Sequence, residues 1–329
     1  MQQMDIIINQ IIVILLLALL GYLAGRFKYL PENAGLYVSK LVIKVTAPSL
    51  IIATMSAYDF TEKTLRDGIS ISLATLCFLG VSFLVGLAAG RLMKLEGAKE
   101  NVFRAHLMFG NVGYLALPLL KSIFGEKGLV YAVFFIIAHD VLVWTVGVYL
   151  LNKHKEPTLK ENMKQFVNAN TISYVLGLAF AFMNFHRIVE ASPAATAVYN
   201  ILYSVLNPVG NMTLYLVMIF IGLTLAENKV EKLRELFEKH TTLILALLKL
   251  LVIPALAFFV LSLFGSLVDS FVKVILVLEL AMPCAAIIPA LAVQYGSDHR
   301  LATDNVIYTT FFSMITLPIF MYLLNIAGG

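Results

Sequence analysis

Phe109-Gly-Asn-Val-Gly-Tyr-Leu-Ala-Leu-Pro118-Leu-Leu120 and Glu279-Leu-Ala-Met-Pro283-Cys-Ala-Ala-Ile-Ile-Pro289-Ala-Leu291 are the two stretches that decide the fold. Each lies within a long apolar run, and each is interrupted by glycine or proline near the middle of that run. A proline cannot donate to the carbonyl four residues earlier, and its ring crowds that carbonyl. By this rule Pro118 frees the carbonyl of Tyr114, Pro283 that of Glu279 and Pro289 that of Ala285. In lipid such groups need partners, so broken backbone survives only inside protein or beside a wet cavity. Freed carbonyls suit a cation, and half-helix N-termini suit an anion.

The chain around these stretches has 329 residues, 60% hydrophobic and only 13% charged, with a mean hydropathy of +0.87. Soluble domains run near 45–50% apolar and about 25% charged, so this chain has too few charges to cover a soluble globule. Two cysteines in apolar runs, Cys77 and Cys284, exclude a disulfide scaffold, and the hydrophobicity excludes disorder. An integral membrane protein remains. A hydrocarbon core of roughly 30 Å takes about 20 residues per helix. Runs of that length fall near 6–25, 36–57, 68–90, 102–124, 128–151, 168–188, 197–226, 241–265, 271–295 and 303–327. The flank before the first run has no positive charge and the run is long, which predicts a retained helix and not a cleaved leader.

Of the 24 basic residues, sixteen fall on connections that are cytoplasmic if the N-terminus is outside, and six on the opposite side. That asymmetry predicts an N-out, C-out chain. A polar link at 152–167 separates five spans from five, which gives repeats at 1–155 and 165–329. Five is odd, so the second repeat enters the bilayer in the opposite sense, the arithmetic of an inverted repeat. The interrupted run is the fourth of each half, and a matched pair of this kind points to a substrate site. The stretch from Glu227 to Lys239 reads as a solvated inner connector. There is no zinc-hydrolase helix, nucleophile elbow or phosphate loop, and no nucleic-acid fingerprint. The expectation is therefore a carrier without cofactor, not an enzyme, driven by a gradient or passive.

Ionisable residues inside spans cost about 2.5–3.5 kcal/mol each on insertion scales and default to functional roles. Glu279 lies one turn before Pro283, where a carboxylate and carbonyl oxygens suit a proton or a hard cation such as Na+. Asp140 is a candidate for the substrate site or for proton transfer. His139 points about 100° away from it around the helix, so the two need not touch, and it reads as structural. Lys249 and Lys44 are expected to snorkel to the inner interface. Asn111 can donate to a carboxylate and is the second candidate for a Na+ ligand; Tyr114 sits within the break. No spacing marks a firm metal site.

Gly110-Asn111-Val-Gly-Tyr-Leu-Ala-Leu-Pro118-Leu-Leu-Lys121-Ser-Ile-Phe-Gly125-Glu126 resembles the fourth-helix signature of the auxin efflux carrier family, which contains the plant PIN carriers and many bacterial relatives. Asn168-Ala-Asn170-Thr171 resembles the start of that family's sixth helix. Met282-Pro283 through Pro289 with Gln294-Tyr295 resembles the ninth, and Thr309 to Pro318 the tenth. The resemblance implies an all-α membrane protein of ten helices in two inverted five-helix repeats, with helices 4 and 9 crossing at their prolines. It implies a scaffold of helices 1, 2, 6 and 7, often a homodimer contact, and a transport domain of helices 3–5 and 8–10 that moves as an elevator.

Carried over by position, the crossover residues are Asn111, Pro118, Pro283 and Pro289, and Asp140 falls where plant carriers have a polar substrate-facing residue. Glu279 is placed like an acidic residue that helps bind sodium in the distantly related bile-acid symporters. Ala169 replaces the family's proline, so a less sharply set helix start is expected there. The resemblance implies transport of small organic anions, auxin-like monocarboxylates or malate- and malonate-like dicarboxylates, across the cell membrane by efflux or exchange; Glu279 and Asp140, which are not general in the plant carriers, add the expectation of H+ or Na+ coupling. A passive uniporter and a non-transporting receptor are the alternatives.

Overall fold

The computed structural model describes residues 2–152, 168–227 and 239–328. The two charged connectors lie, apart from their edges, outside the described residues. The described chain is helical: α1 (Gln2–Arg26), α2 (Ala34–Ala57), α3 (Glu62–Leu92), α4 (Gly97–Met108), α5 (Val112–Leu151), α6 (Ala169–Phe182), α7 (Phe185–Glu190), α8 (Pro193–Glu227), α9 (His240–Leu263), α10 (Ser270–Leu280), α11 (Ile287–Tyr295) and α12 (His299–Gly328). Among the described residues, α2, α3, α5, α8, α9 and α12 are long and apolar enough to cross a membrane, and α1 and α6 are shorter apolar helices. The protein is a multi-pass membrane protein.

The run at 271–295, read as one span, is two helices: α10 stops at Leu280 and α11 starts at Ile287. The run at 102–124 is likewise split, into α4 and the first arm of α5. Gly125 divides α5 into arms 112–124 and 126–151, with φ 65° and ψ −153°. That region is open essentially to glycine alone. Nothing lies within 4 Å of where a Cβ would stand, so the restriction is one of backbone and not of space. Gly125→Ala is expected to lower stability by about 1–3 kcal/mol, read as a lower melting midpoint in detergent.

The prolines do not all break helices. Wide π segments at Val42–Thr46, Val112–Ala116 and Leu248–Val252 each end two residues before a proline, Pro48, Pro118 and Pro254. Widening the turn accommodates the missing N–H and the displaced i−4 carbonyl without unwinding the helix. The break in the fourth run is therefore at Phe109–Asn111, ahead of Pro118, and the expectation that Pro118 makes it is corrected. Pro289 lies in the first turn of α11, where no donor is needed; Ala285 O accepts from Ile288 N at 3.2 Å. Pro283 does sit in unwound chain, but Glu279 O is not free, because it accepts from Met282 N at 3.3 Å.

The chain forms two compact units. The first holds 1–69, 114–133 and 166–228, and the second 70–113, 134–165 and 229–329. In the first, α8 packs along α1 and α2, and α2 against α6. The connection after α2 is pinned by Asn184, in the left-handed conformation at φ 48°. Its Oδ1 accepts from Phe60 N at 2.8 Å and its Nδ2 donates to Phe60 O at 3.2 Å. Asp59 beside it pairs with Arg187 at 2.6 Å, and that guanidinium holds its carboxyl below the usual range. At α6, Asn168 Oδ1 accepts from the N–H groups of Asn170 and Thr171. A side-chain cap thus sets the helix start with Ala169 in the proline's place, which corrects the expectation of a loose start. Asn168→Ala should cost about 1 kcal/mol, measured as a drop in melting midpoint. In the second unit, α12 packs on α4, α9, α10 and α11.

Candidate functional site

Two half-helices end inside the second unit. α4 ends at Met108 and α10 at Leu280, and the chain beyond each is extended or irregular. These segments cross as an antiparallel bridge between Gly110 and Cys284. Asn111 N donates to Pro283 O at 2.7 Å, and Ala285 N donates to Phe109 O at 3.1 Å. Backbone freed in each break is thus partly satisfied by the other. Cys284 N donates to Thr309 Oγ1 of α12 at 3.0 Å, and the same hydroxyl donates to Asn305 O at 2.6 Å. Thr309→Val would orphan a buried N–H at the bridge, costing about 1–3 kcal/mol, and a lowered melting midpoint would register it.

A helix end leaves its last four carbonyls without intrahelical donors. At the end of α4 each has a partner. Ala105 O takes Phe109 N at 2.8 Å, and His106 O takes Cys284 Sγ at 3.7 Å. Leu107 O and Met108 O both take Lys249 Nζ, at 3.2 and 3.3 Å. Lys249 is 1% exposed. It does not snorkel to an interface, as expected from sequence; the π segment of α9 presents it to the end of α4 instead.

The end of α10 is different. Glu279 is 1% exposed, and neither of its carboxylate oxygens has a hydrogen-bond partner among the described residues. A buried carboxylate without partners is costly unless a proton or cation joins it. Asn111 is buried, and no hydrogen bond to a described residue holds its carboxamide.

His106, also buried, is 3.1 Å from Asn305 Nδ2 through Nδ1. His139 lies edge-on to Phe109 of the break, ring centroids 5.4 Å apart. Its Nδ1 is 3.0 Å from Asp140 Oδ1. The two neighbours therefore touch, although helix geometry did not require it, and the side chain that meets the break is His139, with Asp140 behind it at 29% exposure.

Tyr114 and Pro118 belong to the first unit. Tyr114 packs edge-on to Phe220 at 5.5 Å. Pro118 borders a cavity of about 280 Å³ with Lys121, Ser122, Gly210 and Asn211. Lys121 Nζ donates to Asn211 Oδ1 at 3.0 Å. Lys121 lies in the family signature but was expected only as an outer-side charge; its spacing three residues after Pro118, one turn along the same helix, is the signal that could have singled it out. His106 was not among the candidates, and Lys249 was expected at the interface because a lysine two turns into a span can ordinarily reach water.

A family model described as membrane transport protein matches residues 6–321. The chain belongs to the auxin efflux carrier family of membrane transport proteins. It is 25% identical over 317 residues to an uncharacterized transporter of Methanocaldococcus jannaschii, covering 95% of this chain and 97% of the relative. A second uncharacterized transporter, from Methanothermobacter thermautotrophicus, is 25% identical over 318 residues, 94% of this chain and 96% of the relative. A protein of Rhizobium meliloti that carries the provisional name of a malonate transporter is 22% identical over 317 residues, 94% of this chain and 93% of its own. The crossing has an ammonium at one helix end, that of Lys249, and at the other the carboxylate of Glu279, which has no hydrogen-bond partner among the described residues.

Proposed function

We propose that this membrane transport protein is a secondary carrier of small organic anions, of the mono- and dicarboxylate class, coupled to H+ or Na+. The observation that carries the reading is Glu279: a carboxylate buried at a helix end, one turn before the crossing, with no hydrogen bond to either oxygen among the described residues. A group in that state has a place for one proton or one small cation, which is what coupling requires. The anion is recognised by the unengaged carboxamide of Asn111 beside the crossed segments. The provisional name of the Rhizobium meliloti relative supports a dicarboxylate such as malonate as the first substrate to try. The division into two compact units supports an elevator cycle, in which the unit that holds the crossing moves and the unit built on α1, α2, α6 and α8 stays.

The test is uptake of labelled malonate, malate and indole-3-acetate into liposomes that hold the purified protein, with an inward H+ or Na+ gradient. Saturable uptake that follows one gradient is the expected result. Flux indifferent to both gradients, or saturable binding without flux, would overturn it. Asn111→Ala is expected to raise the half-saturating concentration about tenfold, the worth of one hydrogen bond to a charged group; unchanged affinity would remove Asn111 from the site. The lysine of the first unit's cavity supplies a positive charge to an approaching anion, so Lys121→Gln should slow uptake more at low salt than at high salt.

A further inference from the structure

We propose that Lys249 is the resident cation of the crossing: its ammonium group fills, as a tethered ligand, the carbonyl site at the end of α4 that a free monovalent cation would otherwise take. The end of a helix concentrates negative potential on its last carbonyls, and in a membrane interior those carbonyls need a donor or a cation. Leu107 O and Met108 O converge on Lys249 Nζ from 3.2 and 3.3 Å. The flanking carbonyls of Ala105 and His106 are already taken by Phe109 N and Cys284 Sγ. Lys249 thus completes the set, and it does so as a charge: among the described residues no carboxylate pairs with it, and its electrostatic neighbours are His106 and Cys284.

Three features make this a built site. The side chain is fully buried, though a lysine inside a span more commonly reaches an interface. It stands on a π segment, which Pro254 accounts for and which turns residue 249 toward α4. Among the described residues, no such cation meets the corresponding end of α10. There Cys284 N goes to Thr309, Pro283 has no N–H, and neither oxygen of Glu279 has a partner among the described residues. One helix end of the crossing carries its own positive charge and the other does not. A carrier built this way needs a mobile cation at only one of the two ends.

Truncation with chemical rescue tests the assignment. Lys249→Ala deletes a propylamine-sized fragment, so n-propylammonium should restore it. In detergent, Lys249→Ala is expected to melt below wild type. n-Propylammonium chloride should raise its midpoint saturably, with half-effect at roughly millimolar concentration, as expected for four non-hydrogen atoms. Propan-1-ol and tetramethylammonium, which lack the charge or the donors, should not. Uptake by the truncated variant should fall roughly 10- to 100-fold, the worth of hydrogen bonds from a charged donor, and return with the amine.

Equal rescue by propan-1-ol would make Lys249 a space-filler, and a Lys249→Met variant that melts and transports like wild type would overturn the proposal outright. If the alanine variant cannot be purified, Lys249→Arg against Lys249→Gln decides: a folded arginine protein beside an unfolded glutamine one supports the resident charge, and equal behaviour overturns it. The uptake arm rests on the proposed transport activity, whereas the melting arm does not. Rescued melting with no carboxylate flux in any variant, wild type included, would leave the cation site standing and remove the transport reading.

Discussion

Glu279→Gln, reconstituted into liposomes under a tenfold inward gradient of the coupling ion, loses accumulation and keeps exchange. One ion moving down a tenfold gradient carries about 1.4 kcal/mol, enough for about tenfold accumulation of a substrate moved with it one-for-one. Glutamine has the same shape but can neither gain a proton nor offer a negative charge to a cation. The internal substrate concentration should then level near the external one, a loss of nearly the whole tenfold ratio. Exchange of labelled for unlabelled substrate needs no net ion movement and should persist. Because Glu279 makes no hydrogen bond to a described residue that could be lost, the variant should melt at or above the wild-type midpoint, as expected when a costly buried carboxyl becomes a neutral amide. Driven uptake equal to wild type would acquit Glu279. A collapse of exchange together with a lowered midpoint would assign it to structure.

Gly222→Ala carries the largest structural effect. A Cβ at Gly222 would run into the carbonyl oxygen of Ala18 and stand 2.5 Å from the backbone nitrogen of Tyr22. From the other side, a Cβ at Gly21 would collide with the carbonyl oxygen of Ile219. The two glycines therefore let α1 and α8 touch backbone to backbone, a common way for helices to associate in a membrane. Neither obstacle is a side chain that can swing aside, so one methyl must push two helices apart. Overpacking costs about 1–3 kcal/mol even where side chains can adjust, and this contact should lie at or beyond the top of that range. The expected result is a markedly lower melting midpoint, with aggregation on size exclusion. Gly80→Ala is the control: a Cβ there meets nothing within 4 Å, and alanine's helix propensity should leave stability unchanged or raise it by up to about 1 kcal/mol. If Gly222→Ala and Gly80→Ala behave alike, the contact is looser than described.

Much of this is legible in the amino-acid sequence alone. Phe109 to Leu120 and Glu279 to Leu291 announced themselves as interrupted apolar runs, because glycine and proline change backbone chemistry locally, whatever surrounds them. The family signature around Asn111 and Pro118 lay in contiguous residues for the same reason. What misled was the assumption that each proline opens its own carbonyl. Pro118 and Pro254 are absorbed by a widened turn, and whether a helix widens or unwinds depends on what neighbouring segments offer the displaced carbonyl.

The sequence by itself determined that the chain lives in a membrane, that two of its apolar runs are broken, and that a carboxylate sits one turn before one of the breaks. Composition, proline chemistry and residue spacing are local properties, and they need no fold to be read. Only the tertiary structure decided which charge meets which helix end. Lys249 stands 141 residues from Met108 along the chain, and no periodicity links them. Their meeting follows from how α9 packs against the end of α4, and it turns a lysine expected at the interface into the positive charge at the centre of the crossing.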